Sequence, residues 1–280
     1  MIFATIIAVL SFIFFFVYTI TGKHHPLFDL RFFKDRNFLV ACLIMTTIGI
    51  GFFGGMVLQS LYLQNFLGYP TFDAGLYMAP RGLASLLIMI IVGKFSGKFP
   101  PRYFVLAGIF CSIGGNYLMT RFTGGITANE LLLPMILQGF GMGLIFVPVS
   151  TLAFTTLPKT IAAEAAGIYS LIRTFGSALG ISIIATYFSR SVQKNWGILR
   201  GDITPYSDAL HHYLAPLHLG TQNTQGIALA AKAVMYQAQS IAYIDSFTFS
   251  TLNFVCMLPL LLLIRTPPKG TAAPTHIVAD

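Results

Sequence analysis

Two arginines, Arg81 and Arg173, stand inside long apolar stretches, and each follows a tyrosine by four residues, Tyr77 and Tyr169. A spacing of four puts both groups of a pair on one face of a helix. An arginine at the centre of a membrane span costs roughly 2.5–3.5 kcal/mol on insertion scales, so its guanidinium needs a partner or a wet cavity. Gating or substrate contact is the chemistry open to such a pair; the alternative is snorkelling, or capping of nearby carbonyls. Gln59 and Tyr62 share a face with Phe52 and Met56, and Gln138 shares one with Met142. Polar groups among methionine and aromatic side chains suit an adaptable lipophilic pocket. They equally suit hydrogen bonds between helices. Asp245 is the one carboxylate a turn inside an apolar run, which makes it a proton-relay candidate or an interfacial group.

Other patterns carry less. His211, His212 and His218 cluster in a polar stretch without a Cys or carboxylate at ligand spacing, so no metal site is expected. Gly139-Phe-Gly-Met-Gly143 lacks the strand that precedes a nucleotide-binding loop; like Gly51/Gly55, Gly93/Gly97 and Gly176/Gly180, it reads as a place where helices approach closely. Cys42, Cys111 and Cys256 lie in apolar runs with no redox or ligand spacing. No HExxH, GxSxG or paired intramembrane Asp occurs. Neither an enzyme nor a cofactor is expected.

The elements that must hold these groups follow from composition. The chain has 280 residues, 55% hydrophobic and only 9% charged, with 26 Phe. A soluble domain carries about 25% charged residues, so soluble, disordered and coiled-coil classes are excluded and a polytopic membrane protein remains. The formal charge of +8 is then a matter of loop placement and not of nucleic-acid binding. Seven apolar runs are long enough to cross a bilayer: 2–20, 38–66, 74–92, 103–119, 131–154, 165–188 and 241–264. The first has neither the positive n-region nor the cleavage site of a signal peptide and reads as a retained span. Mid-run Pro148 and Pro259 each free a carbonyl and favour a kink. Asp73, Glu130 and Glu164 read as helix caps.

Ten Lys or Arg lie on one side of these runs: Lys23, Arg31, Lys34, Arg36, Lys94, Lys98, Arg102, Lys159, Arg265 and Lys269. Arg121 alone lies in the opposite short loops. The positive-inside rule therefore predicts an external N-terminus and a cytoplasmic C-terminus. Residues 189–240 become a long external loop, with an Ala-rich segment from Gln225 to Tyr243 that reads as a helix entering the last span. A first span entering from outside reads as a chain that begins in the middle of a larger membrane protein.

The pattern A-G-[LI]-Y-x-x-x-R occurs at 74–81 and again at 166–173, and Ser85 and Ser177 extend it. The copies are 92 residues apart, three spans, and each opens the middle member of a three-span group. Three is odd, so the two groups run in opposite directions: a 3+3 inverted repeat, the plan of many secondary transporters.

The stretches LFDLRFFKDRNF (27–38), QSLYLQNFLGY (59–69), AGLYMAPRG (74–82), GFGMGLIFVPVSTLAFTTLP (139–158) and AAGIYSLIRTFGSALG (165–180) together resemble the major facilitator superfamily, in particular its 14-helix drug:proton antiporters of the EmrB/QacA type. They cover most of residues 27–190 in order. The resemblance implies an all-α C-terminal half. Residues 1–21 would be a central extra helix, 22–37 a cytoplasmic interfacial linker, 38–266 the six-helix bundle and 267–280 a cytoplasmic tail. It further implies multidrug efflux by drug:proton antiport, with Gln59, Tyr62, Gln138 and Met142 on the substrate path. Tyr77, Arg81, Tyr169 and Arg173 would lie on the helices that meet an N-terminal bundle, which the resemblance implies is missing here. Implied partners are the inner-membrane bilayer, small lipophilic drugs, protons, the missing half and a periplasmic membrane-fusion adaptor. Gly93-Lys-Phe-Ser-Gly-Lys98 resembles the superfamily's basic loop motif, but Gly97 replaces its usual Asp. A seven-span receptor or a non-transporting membrane subunit is the competing class; the first leaves the three-span repeat unexplained.

Overall fold

In the computed structural model, Leu10 and residues 35–96, 98–121, 128–201 and 224–263 are described. The expected first span (Leu10 apart, which is helical and exposed), the basic-loop Gly97, the three clustered histidines and the C-terminal tail fall outside the described residues.

Six helices are long and apolar enough to cross a membrane: α1 (Arg36–Phe66), α2 (Thr71–Phe95), α3 (Pro101–Thr120), α4 (Asn129–Thr155), α5 (Ile161–Gly201, continuous with a start at Lys159) and α6 (Gln225–Leu262). No strand occurs among the described residues. The chain is an all-α, multi-pass membrane protein.

Local chemistry sets most helix ends. Asp35 caps α1, its carboxylate accepting from the backbone N–H of Asn37 at 2.9 Å and Phe38 at 3.0 Å. Gly68 links α1 to α2 with φ +74°, a left-handed conformation that suits glycine. Asp73 sits in the first turn of α2 and Lys94 in its last, each complementing the helix dipole. Pro101 opens α3 at a position that needs no N–H. Pro148 lies within α4. The last helix is interrupted at Cys256, between Val255 and Met257, one turn before Pro259. That is where the missing proline N–H releases a carbonyl.

α1 is not a plain α-helix. Gly49–Phe53 and Tyr62–Phe66 are π-helical, separated by the α-helical Gly54–Leu61. Nothing in the residue periodicity signals either π segment.

The two groups, α1–α3 and α4–α6, pack reciprocally. The first helix of one lies against the middle helix of the other, backbone to backbone. A Cβ built on Gly49 of α1 would stand 2.6 Å from the Gly176 carbonyl carbon of α5, and one on Gly176 would stand 2.8 Å from the Thr46 Cα. In the counterpart seam, Gly139 of α4 faces the Arg81 carbonyl and Ala84 of α2, and Gly143 faces Ser85 and Ile88. The residues met in the two seams, Ala84 with Ser85 and Gly176 with Ser177, are repeat equivalents 92 positions apart. Gly176/Gly180 and Gly139/Gly143 are thus close-approach pairs. Gly55 and Gly93 meet nothing, so those two expected contacts are absent; Gly51 instead faces Asn253 and Phe254.

Within the stretch 189–240, expected as an external loop, residues 189–201 instead continue α5, whereas 224–240 belong to the last helix as expected of the Ala-rich segment. The 43 residues from Lys159 to Gly201 are about 64 Å long at 1.5 Å per residue, twice the hydrocarbon thickness. Residues 181–196 contain neither Gly nor Pro, so the helix has no reason to stop where polar residues begin. The extension packs on the last helix. Ser191 Oγ donates to Asp245 Oδ2 at 2.6 Å, and the rings of Tyr187 and Phe249 stack at 5.1 Å. The Ala-rich segment from Gln225 is helical, as its composition predicts.

Candidate functional site

Two apolar clusters fill the interior. One centres on Phe38, Ile44, Met45, Ile109, Ile145 and Val149; the other on Leu58, Leu63, Met119, Met135 and Phe247. Between residues of these clusters runs a polar relay through four helices.

The relay starts at Arg81, 4% exposed in the middle of α2. Its Nη1 donates to Gln59 Oε1 at 2.7 Å and its Nη2 to the Phe52 carbonyl at 3.0 Å. The guanidinium carbon lies 3.9 Å from the centre of the Phe52 ring, a cation–π contact. Phe52 sits in the first π-helical segment, so its carbonyl falls where the regular α-helical bonding pattern is broken. Gln59 then donates through Nε2 to Gln138 Oε1 at 2.6 Å. Gln138 donates to Asn116 Oδ1 at 3.4 Å, and Asn116 donates to the Ser112 carbonyl at 2.8 Å. Every amide points the same way, oxygen toward the guanidinium. A row of aligned neutral dipoles spreads the arginine's charge through the interior.

Gln59, Gln138 and Asn116 are 1%, 4% and 3% exposed. They are too deep for solvent to satisfy them, so the relay must satisfy itself. It does so with one exception: Arg81 Nε is buried and has no partner. No carboxylate among the described residues bonds to Arg81. Gly51, Phe52, Arg81, Ser112, Asn116, Gln138 and Phe254 surround a narrow gap against the relay, too tight to hold a water molecule.

The structure thus joins groups that the sequence assigned to different tasks. Gln59 and Gln138, read as substrate-path residues, are bonded to each other and to Arg81, read as a gating residue. Asn116 and Ser112 were not singled out from the sequence. A lone Asn in an apolar helix has no spacing signal; only the common depth of four polar residues on neighbouring helices would have found it.

Tyr62 is buried one turn beyond Gln59, its hydroxyl also without a partner. Its ring stacks on Phe66 at 5.1 Å and meets the edge of Tyr243 at 4.9 Å; Phe66 stacks on Tyr236 at 4.3 Å. These four rings and Phe188, 4.5 Å from Tyr243, form an aromatic box between α1, α5 and α6. Met142 is half-buried against the first apolar cluster, apart from this box. Tyr77 is half-buried and edge-on to Tyr69 at 5.2 Å; it does not reach the relay.

In the second group Tyr169 is buried, its hydroxyl 3.2 Å from Ser150 Oγ and its ring against Phe154 and Phe38. Arg173 is half-buried, its guanidinium 5.6 Å from the Phe146 ring centre. Both repeat arginines therefore lie over a phenylalanine of the helix that opens their own group, Phe52 in α1 and Phe146 in α4. Burial separates them, since Arg81 is enclosed and Arg173 is not. Asp245 is half-buried on the α5–α6 extension, bonded to Ser191, whose hydroxyl also accepts from Asn195 at 3.3 Å. It lies outside the relay.

Comparison with known proteins fits this architecture. Residues 1–181 match the model of the Major Facilitator Superfamily. The chain is 28% identical over 248 residues to the fatty acid resistance protein FarB of Neisseria gonorrhoeae, covering 88% of this chain and 49% of that protein. It is 27% identical over 268 residues to the multidrug export protein EmrB of Escherichia coli K12, covering 95% and 52%. It is 29% identical over 184 residues to the multidrug resistance protein Stp of Mycobacterium tuberculosis H37Rv, covering 64% and 34%. The chain spans about half the length of the first two relatives.

Proposed function

The chain belongs to the major facilitator superfamily, and on that premise we propose that it is the C-terminal bundle of an efflux transporter for small lipophilic compounds, driven by proton antiport. The observation that carries this reading is the buried relay Arg81–Gln59–Gln138–Asn116, set in a bundle of two reciprocally packed three-helix groups. A membrane protein that needed only to span the bilayer would bury Leu and Phe at these positions. A charged residue with three amides is expensive in lipid and marks a transport path. The family and the efflux relatives support a carrier over an enzyme or a receptor. The names of those relatives speak of fatty acid resistance and multidrug export, and both are consistent with amphiphilic cargo.

In this reading Gln59, Gln138, Tyr62 and Met142 lie on the substrate path. Arg81 and Arg173, with Tyr77 and Tyr169, serve the change between inward- and outward-open states. The half-buried Arg173 meets the opposing bundle, and Asp245 exchanges a proton at the membrane interface. A second six-helix bundle, on the same polypeptide or another, completes the central site, because alternating access needs two bundles that rock about it. The protein sits in the inner membrane with its N-terminus outside and its C-terminus in the cytoplasm. The α5–α6 extension then stands on the external side, where a periplasmic adaptor docks.

The test is reconstitution in vesicles with an imposed pH gradient and ethidium as cargo. With a matching N-terminal bundle, the chain should extrude ethidium and the gradient should set the rate. Extrusion that persists after the gradient is collapsed would remove the antiport reading. Absence of extrusion by the assembled pair would remove the transporter reading itself.

A further inference from the structure

The eight residues Gly54–Leu61 of α1 lie between two π-helical segments, Gly49–Phe53 and Tyr62–Phe66. A single π turn holds one residue more than the α-helical turn it replaces. Two such turns flanking a short α segment let that segment be fed one residue along without disturbing the helix beyond either of them. The extra residue leaves one π turn and enters the other. The segment between them turns by about 100° and slides by about 1.5 Å. Each of its residues then takes a neighbour's place.

The packing permits this in one direction only. If each residue takes the place of the one after it, Phe53 enters the place of Gly54. Even a Cβ there would stand 2.5 Å from Ile184 Cδ1 and 2.8 Å from the Gly180 carbonyl oxygen. If each residue takes the place of the one before it, Gly55 enters that tight place, and a glycine fits it. Met56 enters the place of Gly55, where a Cβ meets nothing within 4 Å. Val57, Leu58 and Leu61 enter the exposed or half-buried places of Met56, Val57 and Ser60. The adjacent pair Gly54 and Gly55 thus keeps the α1–α5 seam closed in both registers. The first π segment, which gains the residue, contains Gly49 and Gly51 and adjoins Gly54; glycine adopts an irregular backbone most easily. Other helices already hold the carbonyls of this stretch. Asn253 Nδ2 of α6 donates to that of Thr47 at 2.9 Å, and Arg81 Nη2 of α2 to that of Phe52 at 3.0 Å.

We propose that Gly54–Leu61 is a two-register segment that makes and breaks the polar relay. In the register seen, Gln59 joins Arg81 to Gln138. In the other, Ser60 takes its place, and a side chain two bonds shorter reaches neither. Arg81 keeps Phe52 and is released from the amides of α4 and α3. Gln59 moves to the place of Leu58, in the buried cluster that also contains Tyr62, whose hydroxyl has no partner in the register seen. That place otherwise suits a leucine, so the register seen is the more stable one in this chain. The switch rests on the transporter reading for its use, as the step that ties Arg81 to the change between inward- and outward-open states, but not for its occurrence.

The test is fluorine NMR of the whole chain in lipid nanodiscs, with a trifluoromethyl tag on Val57→Cys and with Cys42→Ala, Cys111→Ala and Cys256→Ala. Val57 is half-buried in one register and takes the exposed place of Met56 in the other, so each register has its own resonance. Gly55→Ala puts a methyl into the tight place in the second register alone, and should leave one resonance, that of the register seen. Gly54→Ala puts it there in the first register alone. It should raise the second resonance relative to the first by at least about tenfold, the scale of one overpacked contact. A folded Gly54→Ala chain that shows only the Gly55→Ala resonance overturns the proposal. Should Gly54→Ala not fold, Gln59→Leu decides, because a leucine at 59 suits the place of Leu58 and abandons the relay. It should bring up the second resonance, and Gly55→Ala added to it should abolish that resonance. No second resonance in Gln59→Leu, or one that survives Gly55→Ala, overturns the proposal equally. Ethidium extrusion by the assembled pair decides the transporter reading independently of all these outcomes.

Discussion

Along the polar relay, each residue answers for its neighbours, and the bond lengths rank them. Gln59 bonds to Arg81 at 2.7 Å and to Gln138 at 2.6 Å. Gln59→Leu leaves a guanidinium N–H and the Gln138 oxygen buried without a partner, at about 1–3 kcal/mol per group. Asn116 is tied to the relay by a 3.4 Å contact, and Asn116→Ala should cost nearer 0.6 kcal/mol, about the average for an inter-helix hydrogen bond in lipid. Unfolding in mixed micelles with rising SDS reads both. Equal losses for the two variants would show that the relay does not act through Arg81. Gln59→Leu combined with Gln138→Leu should cost less than the two single changes added, since each removes the other's partner. Strict additivity would mean that the 2.6 Å bond is not made in the membrane.

At the scale of the helix, the seams decide. Gly49→Ala places a methyl 2.6 Å from the backbone of Gly176, and neither backbone has a flexible end to yield. The α1–α5 seam must open, at about 1–3 kcal/mol. Gly139→Ala should do the same to the α2–α4 seam, because its methyl meets the Arg81 carbonyl. Gly55 lies between these cases in sequence and meets nothing within 4 Å, so Gly55→Ala should be neutral or stabilising by up to about 1 kcal/mol from helix propensity. The same SDS titration checks the contrast; a Gly55 variant as unstable as the Gly49 variant would contradict the packing. These seams mark how far the sequence is legible. Six apolar runs reveal six helices, since spanning lipid demands about 20 apolar residues and leaves little freedom. GxxxG spacing alone does not separate Gly176/Gly180, which touch, from Gly51/Gly55, of which only one does. That depends on which neighbour arrives, and a single helix carries no record of it. The helical extension beyond residue 188 is equally hidden: Arg190, Gln193, Lys194 and Asn195 look like loop composition, yet no Gly or Pro occurs before Gly197 to end the helix there. The π segments of α1 also go unread, because they answer to the helices around them, Phe52 to Arg81 and Tyr62 to Tyr243.

For the whole molecule, charge is what sets which end of the bundle faces out. The two middle helices, α2 and α5, are the least buried of the six, with Leu83, Leu86, Leu87, Leu171 and Phe175 all exposed; α1 and α4 lie innermost. Such a bundle has the same packing whichever way it is inserted, so no contact inside it chooses a direction. The choice falls to the ten basic residues that flank one side of the apolar runs, against Arg121 alone in the short loops of the other. A fluorescent-protein reporter fused after Lys98, which fluoresces only in the cytoplasm, should be bright. Alkaline phosphatase inserted at Thr221, which is active only outside, should be active. Replacing Lys94, Lys98 and Arg102 with Gln should lower the first signal, because the α2–α3 link carries three of the ten charges. The reverse result at either site would turn the bundle over. The long α5–α6 extension, with its Ser191–Asp245 bond, would then stand in the cytoplasm, beyond the reach of any periplasmic partner, and Asp245 would meet the proton reservoir of the opposite compartment.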